Sequence, residues 1–205
     1  MCRLLNPFLD NAVLPALRLN RRLGVRLPKW DSWRFAMPGV ALTLWLMLAG
    51  CSITPPSNIT PVTPFDLSRY LGQWHEIARL DHSFERNLIK VTASYSMNTD
   101  GSVKVINRGF NTKKQAWNEA IGKAWLIDGP DRGALKVSFF GPFYGGYFVT
   151  ALDPGYQWAM IVGPDLDYFW ILARQPELDA TVKARLLDQA RTMGVAVDDI
   201  IWVAQ

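Results

Sequence analysis

Gly72-Gln73-Trp74-His75-Glu76-Ile77-Ala78-Arg79 opens with a tryptophan at the head of a strand-like stretch. About a hundred residues later, Trp170-Ile171-Leu172-Ala173-Arg174 closes the last of a series of such stretches. When a sheet closes on itself, a tryptophan at its start and an arginine near its end can stack together across the seam. A guanidinium stacked on the indole then seals one end of the barrel, a contact worth about 2 kcal/mol once desolvated. Trp74 and Arg174 are therefore expected to form a structural pair.

Between these landmarks, turn signals arrive at short and fairly even intervals: Asp100-Gly101, Asn111-Thr112, Asp128-Gly129-Pro130, Gly141-Pro142, Asp153-Pro154-Gly155 and Gly163-Pro164-Asp165. They separate strand-like runs at Trp74 to Leu80, Val91 to Met97, Val103 to Phe110, Asn118 to Ile127, Leu135 to Phe140, Tyr147 to Leu152, Trp158 to Val162 and Tyr168 to Arg174. The expected fold is all-β: an eight-stranded antiparallel up-and-down barrel, wide enough inside for one small ligand and without open edges. After Gln175-Pro176, apolar residues Leu178, Val182, Leu186, Ala190 and Met193 recur at helical spacing, while Lys183, Arg185, Asp188 and Arg191 take polar positions. This predicts a C-terminal helix packed on the outside of the barrel, capped by Gly194, with Ile200 to Val203 as a final strand or extended tail.

Period-2 alternation assigns faces. Val91, Ala93, Tyr95 and Met97 alternate with Thr92, Ser94 and Ser96, and Leu135, Val137 and Phe139 alternate with Lys136 and Ser138. By the same parity Val103, Val105 and Asn107 share a face, as do Tyr147, Val149 and Ala151, and Trp170 and Leu172. These inward sets either fill a solid core or wall a cavity. Tyr95 and Asn107 favour the cavity, because a few polar groups among apolar walls orient a bound molecule. The candidate ligand-binding residues are Val91, Tyr95, Val105, Asn107, Leu135, Val137, Phe139, Tyr147, Val149 and Trp170, with Tyr95 or Asn107 expected to meet a polar group near the mouth.

The G-x-W block, the downstream arginine and the strands between them resemble the lipocalin family from roughly Phe65 to the C-terminus, most nearly its bacterial outer-membrane members. The second motif of that family, T-D-Y at a turn, is reduced here to Thr150-Ala151-Leu152-Asp153 with Tyr156 following, a form similar to that of bacterial members. The resemblance implies that the loop from Asp81 to Leu88 partly covers the barrel mouth. It also implies a fatty acid or lysophospholipid as ligand, storage or transport of lipid for membrane maintenance under stress, and a homodimer as one assembly that no residue decides.

Upstream, Leu48-Ala49-Gly50-Cys51 looks like a bacterial lipoprotein box cleaved before the cysteine. The uncharged stretch of 15 residues from Ala36 to Gly50 is shorter than the roughly 20 apolar residues of a membrane span and reads as a signal h-region. Arg18, Arg21, Arg22, Arg26, Lys29 and Arg34 precede it as a positive n-region. Residues 1–50 are thus expected to be a removed leader, an uncleaved membrane anchor being the alternative, with Cys51 the lipid attachment site. Residues 51–64, with Pro55, Pro56, Pro61 and Pro64, read as an extended lipidated tether with a reach of roughly 40 Å. Residues 65–205 form the domain. Ser52, rather than Asp, after the cysteine implies export to the outer membrane in similar lipoproteins, and the protein is expected there, lipid-anchored, on the periplasmic face.

The leader holds seven of the 22 basic and two of the 18 acidic residues, which leaves 15 against 16 and a net charge near −1. The basic character of the whole chain belongs to the leader, and nothing in the remainder suggests the basic stripe of a nucleic-acid-binding protein. Cys2 departs with the leader and Cys51 would carry lipid, so no disulfide is expected within the domain.

The chemistry of an enzyme is not visible. The two histidines are His75 and His82, no G-x-S-x-G elbow occurs, and no His/Cys spacing suits zinc. Neither a cofactor nor a metal is expected. Two readings remain at this level: a lipid-binding lipoprotein, or a non-enzymatic envelope interaction module whose barrel is filled and whose aromatic hairpin, Phe139 to Tyr147, contacts a partner.

Overall fold

Each turn signal of the sequence separates two antiparallel neighbours in the computed structural model, which describes residues 52–205. The leader and Cys51, and with them the expected cleavage and acylation, lie outside the described residues. Strands β1 (Gly72–Arg79), β2 (Leu88–Met97), β3 (Val103–Asn111), β4 (Ala116–Leu126), β5 (Ala134–Phe140), β6 (Phe143–Leu152), β7 (Trp158–Val162) and β8 (Phe169–Ala173) follow one another around a meander. It closes because β1 pairs with β8 on one side, His75 opposite Ala173, and with β2 on the other, Trp74 opposite Ala93. The fold is an eight-stranded antiparallel closed barrel with a C-terminal helix. A short β9 (Ile201–Trp202) adds to the outer edge of β1, Ala78 opposite Trp202.

The strand β7 reads Trp158-Ala159-Met160-Ile161-Val162 and is buried throughout, which alternation alone does not anticipate. Its two faces meet two different cores. Ala159 and Ile161 point into the barrel with Trp74 and Leu172. Met160 and Val162 point outward with Phe148, Phe169 and Ile171, where helix α2 (Ala180–Thr192) covers them through Leu186 and Ala190. Asp179 caps the helix, its carboxylate accepting from the N–H groups of Thr181 and Val182 at 2.8 and 3.3 Å. Gly194 ends it at φ +87°, a conformation that disfavours a side chain.

Three features depart from the sequence-based expectation. A one-turn helix α1 (Leu67–Tyr70), too short to show periodicity, leads into β1. Residues 52–64 are not a tether clear of the domain. Ile59 and Pro61 are buried, Val62 exchanges backbone hydrogen bonds with Val149 and Gly133 at 2.8 and 2.9 Å, and Asn58 donates to the Met193 carbonyl at 2.7 Å. Proline-rich composition predicts an extended backbone, yet the segment bends and closes a turn in which the Ile59 N–H donates to the Pro56 carbonyl at 2.9 Å. Whether such a segment floats or lies along a wall depends on apolar side chains such as Ile59 finding a groove, here the one between the barrel and α2.

Strand β6 begins at Phe143, four residues before its expected start. Gly146 lies within the strand, paired with Lys136, where a close approach leaves no room for a side chain. A Cβ there would sit 2.5 Å from the Phe148 ring and 3.3 Å from the Ser52 carbonyl oxygen.

In an up-and-down barrel alternate connections share an end. Residues 98–102, 127–133 and 153–157 lie with α1 at one end, and residues 80–87, 112–115, 141–142 and 163–168 lie at the other.

Candidate ligand-binding site

The end carrying α1 is closed. Trp74 is fully buried and donates its indole N–H to the Tyr70 carbonyl at 2.8 Å. The Arg174 guanidinium lies 3.8 Å over the indole ring. It also donates to the carbonyls of Arg69, Leu71 and Gln73 at 2.8 Å each, and so supplies partners to the unsatisfied carbonyls at the end of α1. Gly72 passes at φ +93°, where an added Cβ would stand 3.3 Å from that guanidinium. Tyr156, after the Asp153 turn, accepts the Asp66 N–H on its hydroxyl at 2.8 Å, and Arg69 covers its ring at 4.1 Å. The Asp153 carboxylate holds that turn by accepting from the N–H of Gly155 at 2.8 Å.

Above this floor the barrel is hollow. The cavity opens at the other end and is lined mainly by apolar side chains, with a few polar groups among them, as in small-molecule sites. Nine of the candidate residues line it: Val91, Tyr95, Val105, Asn107, Leu135, Val137, Phe139, Tyr147 and Trp170. Val149 does not. It packs in the floor with Trp74, Tyr70, Ile161 and Leu172, because parity determines which face a side chain takes and not its depth along the barrel axis. Met97, expected inward, is 48% exposed for the same reason, since it ends its strand beyond the floor.

Two polar groups divide the interior. At the bottom, the Tyr147 hydroxyl lies 2.6 Å from that of Tyr70 and 3.1 Å from that of Tyr95. Tyr95 therefore belongs to the floor and not to the mouth, its expected place. Burial pushes Tyr95 up to about 12 and the other two well above the ordinary phenol range, so all three hydroxyls are neutral in any physiological medium. Three hydroxyl protons serve two mutual hydrogen bonds, which leaves one free to donate. Midway up the wall the Asn107 side-chain oxygen is buried without a partner, an acceptor available to a ligand donor.

Toward the mouth, Glu76 and Glu85 face the cavity around the buried Arg79. Arg79 donates to the Glu76 carboxylate at 2.6 Å and to the Glu85 carbonyl at 2.9 Å, and the Trp170 indole N–H donates to the Glu85 carboxylate at 3.2 Å. Burial, and then the neighbouring Glu76 charge, pushes Glu85 well above the ordinary carboxylate range; burial also raises Glu76. His82 is stacked between Phe84 and Tyr168, with ring centroids at 5.2 and 5.0 Å. This loop forms the rim, its Phe84 and Glu85 lining the cavity.

Burial, followed by the Arg79 charge, lowers His82 from 6.5 to about 4, so its ring is neutral at pH 7. The unfolded chain takes up a proton below pH 6.5 and the folded one only near 4. The contribution of His82 to stability is therefore present above pH 6.5 and lost as pH falls through that window, up to ~3 kcal/mol. Glu85 acts with the opposite sign, its raised value favouring the fold at low pH. Urea denaturation of the parent and His82→Phe at pH 7 and 4.5 is expected to show a smaller acid loss in the variant; equal losses would exclude His82 as the titrating group.

Sequence reasoning missed Tyr70, Glu76 and Glu85 as cavity residues. Charge argued against an inward Glu76, although its parity with Trp74 pointed inward. Tyr70 and Glu85 lie outside the strands, where no periodicity applies.

Residues 65–205 match the model of the lipocalin-like domain. The chain is 52% identical over 165 residues to the outer membrane lipoprotein Blc of Escherichia coli K12, covering 80% of this chain and 93% of that protein. It is 50% identical over 166 residues to the Blc of Citrobacter freundii, with 80% and 94% covered. Among solved structures, insecticyanin from the tobacco hornworm Manduca sexta superposes with a TM-score of 0.58 at 22% identity, covering 76% of this chain and 87% of that one, a likeness of fold alone. A closed eight-stranded barrel sealed by Trp74 and Arg174, with the family model matched along the whole domain, places the chain in the lipocalin-like family.

Proposed function

We propose that the protein is a lipid-binding lipoprotein of the outer membrane, anchored through Cys51 on the periplasmic face, which holds a fatty acid or lysophospholipid in its calyx. There it stores or transports lipid for membrane maintenance under stress. The observation that carries this reading is the hollow, mainly apolar calyx open at one end. An acyl chain entering it gains about 0.8 kcal/mol for each methylene removed from water. The names of the Escherichia coli and Citrobacter freundii relatives support the location. Asn107 supplies an acceptor and the tyrosine cluster a donor for the polar end or a hydroxyl of the ligand.

The protein binds and does not catalyse. His82 is locked in a ring stack, and the buried carboxylates are engaged by Arg79 and Trp170. His75 lies on β1 with its Nδ1 at 3.1 Å from the Gln205 side-chain oxygen, away from the calyx lining.

Displacement of a fluorescent fatty acid by lysophospholipid tests the proposal. Val137→Trp, which adds a large ring to the lining, is expected to abolish binding with the fold intact by circular dichroism. Lys136→Gln, on the outer face of the same strand, is expected to leave binding unchanged. Equal binding by the parent and Val137→Trp would favour the interaction-module reading. Cys51→Ser is expected to move the protein from the membrane fraction to the soluble periplasm. Retention in outer membranes at high salt would sink the lipoprotein reading.

A further inference from the structure

The Ser52 carbonyl accepts the Gly146 N–H at 3.0 Å, so the residue that follows Cys51 is held on the outer wall of β6. Gly146 stands opposite Lys136 on β5, and Lys136 opposite Trp125 on β4. Ser52, Gly146, Lys136 and Trp125 therefore form one row across the barrel exterior. Tyr144, two residues nearer the open end on β6, meets Trp125 edge-on at 5.8 Å. The Lys136 ammonium sits 5.1 Å from the Tyr144 ring and 5.7 Å from the Trp125 ring. Beyond them the β5–β6 hairpin turns at the open end with Phe140 42% and Phe143 44% exposed.

This composition is layered like a membrane interface. Trp and Tyr, with apolar bodies and polar tips, prefer the headgroup level, a lysine reaches anionic phosphates, and bare phenylalanines suit the acyl boundary. Cys51 is one peptide unit, 3.8 Å between Cα atoms, from Ser52. An anchor on its sulfur therefore joins the domain through a residue already held against β6, unlike an anchor on a free tether.

We propose that the β5–β6 hairpin, with Phe140 and Phe143 at its tip and the Trp125, Lys136 and Tyr144 cluster behind it, docks on the lipid bilayer that carries the Cys51 anchor, turning the mouth of the calyx toward the membrane surface. The inference rests on the lipoprotein reading. The hairpin shares its end of the barrel with the rim residues Phe84 and Tyr168, so lipid leaving the bilayer meets the calyx opening directly. The lysine within the cluster and the pinned approach to the anchor select a lipid surface over a second copy of the chain.

The test uses the full lipidated protein in phosphatidylethanolamine/phosphatidylglycerol vesicles, with acylation of Cys51 verified by mass spectrometry and lipid binding by the displacement assay. Failure of either check is then distinct from failure of the docking. A polarity-sensitive fluorophore is attached through Phe143→Cys or, as control, through Glu177→Cys near the closed end. The label at 143 is expected to shift to the blue, to lose its quenching by aqueous iodide and to gain quenching by nitroxide lipids, whereas the label at 177 behaves as in water. Water-like behaviour at 143 on vesicles would overturn the proposal. Shielding at 143 that appears without vesicles and grows with protein concentration would overturn it in favour of a second copy. A flexible Gly-Ser insertion between Ser52 and Ile53 is expected to keep the protein on the vesicles while restoring iodide access at 143. Unchanged shielding would refute the orienting role of the anchor.

Discussion

Arg79→Met is expected to destabilise the protein by about 3–5 kcal/mol at pH 8, because it leaves two buried carboxylates without their cation. The Glu76 carboxylate loses its 2.6 Å partner, and the carbonyls of Glu85 and Leu88 lose theirs. Methionine conserves much of the aliphatic volume, so the loss measures charge more than packing. The deficit should shrink at low pH. Both carboxyls already lie above their ordinary range through burial, and without the guanidinium they rise further, so the folded variant binds protons that the unfolded chain releases above about pH 4.5. Stability of the variant then falls as pH rises through that window. Urea midpoints at pH 5 and 8 give the comparison, and adding Glu76→Gln to Arg79→Met should recover part of the loss at pH 8. A deficit independent of pH, or no recovery, would show that Arg79 acts by packing alone.

Trp74→Ala should cost a similar ~3–5 kcal/mol, from the cavity left by a fully buried ring. Arg174→Ala should cost less, since water can reach part of the half-buried guanidinium site and replace some of its carbonyl contacts. The two losses should not add. With the guanidinium 3.8 Å over the indole, a double-mutant cycle should return a coupling of roughly 1–2 kcal/mol. Arg174→Lys separates two roles, because lysine keeps the charge over the ring but lacks the planar fork that engages Arg69, Leu71 and Gln73 together. It should retain less than half of the stabilisation. Zero coupling between Trp74 and Arg174 would leave the clamp on α1 as the whole role of the arginine.

The wall of the calyx was legible because a strand has only two faces. Leu135 and Val137 alternate with Lys136 and Ser138, Val105 shares a face with Val103 and Asn107, and the structure turns all three inward. Depth was not legible, since parity repeats along the whole strand. Val149 falls into the floor and Met97 past the end, although each has the expected facing. Buried charge ran against any reading from hydrophobicity. Glu76 shares the facing of Trp74, yet its inward place becomes tolerable only because Arg79, on the same strand, and Glu85, from the following loop, converge on it.

The sequence by itself determined the strand order, the closing Trp74–Arg174 pair, the outer helix with its Leu186 and Ala190 stripe, and the absence of a disulfide within 65–205, because these depend on local periodicity, turn chemistry and residue identity. Tertiary structure alone decided the hydroxyl cluster of Tyr70, Tyr95 and Tyr147, the acid pair around Arg79, and the course of residues 52–64 along the wall. Each joins segments far apart in the chain through side chains that no local pattern relates. Their positions follow from closure of the barrel, which brings α1 beneath β2 and β6 and lays the N-terminal segment against Gly146.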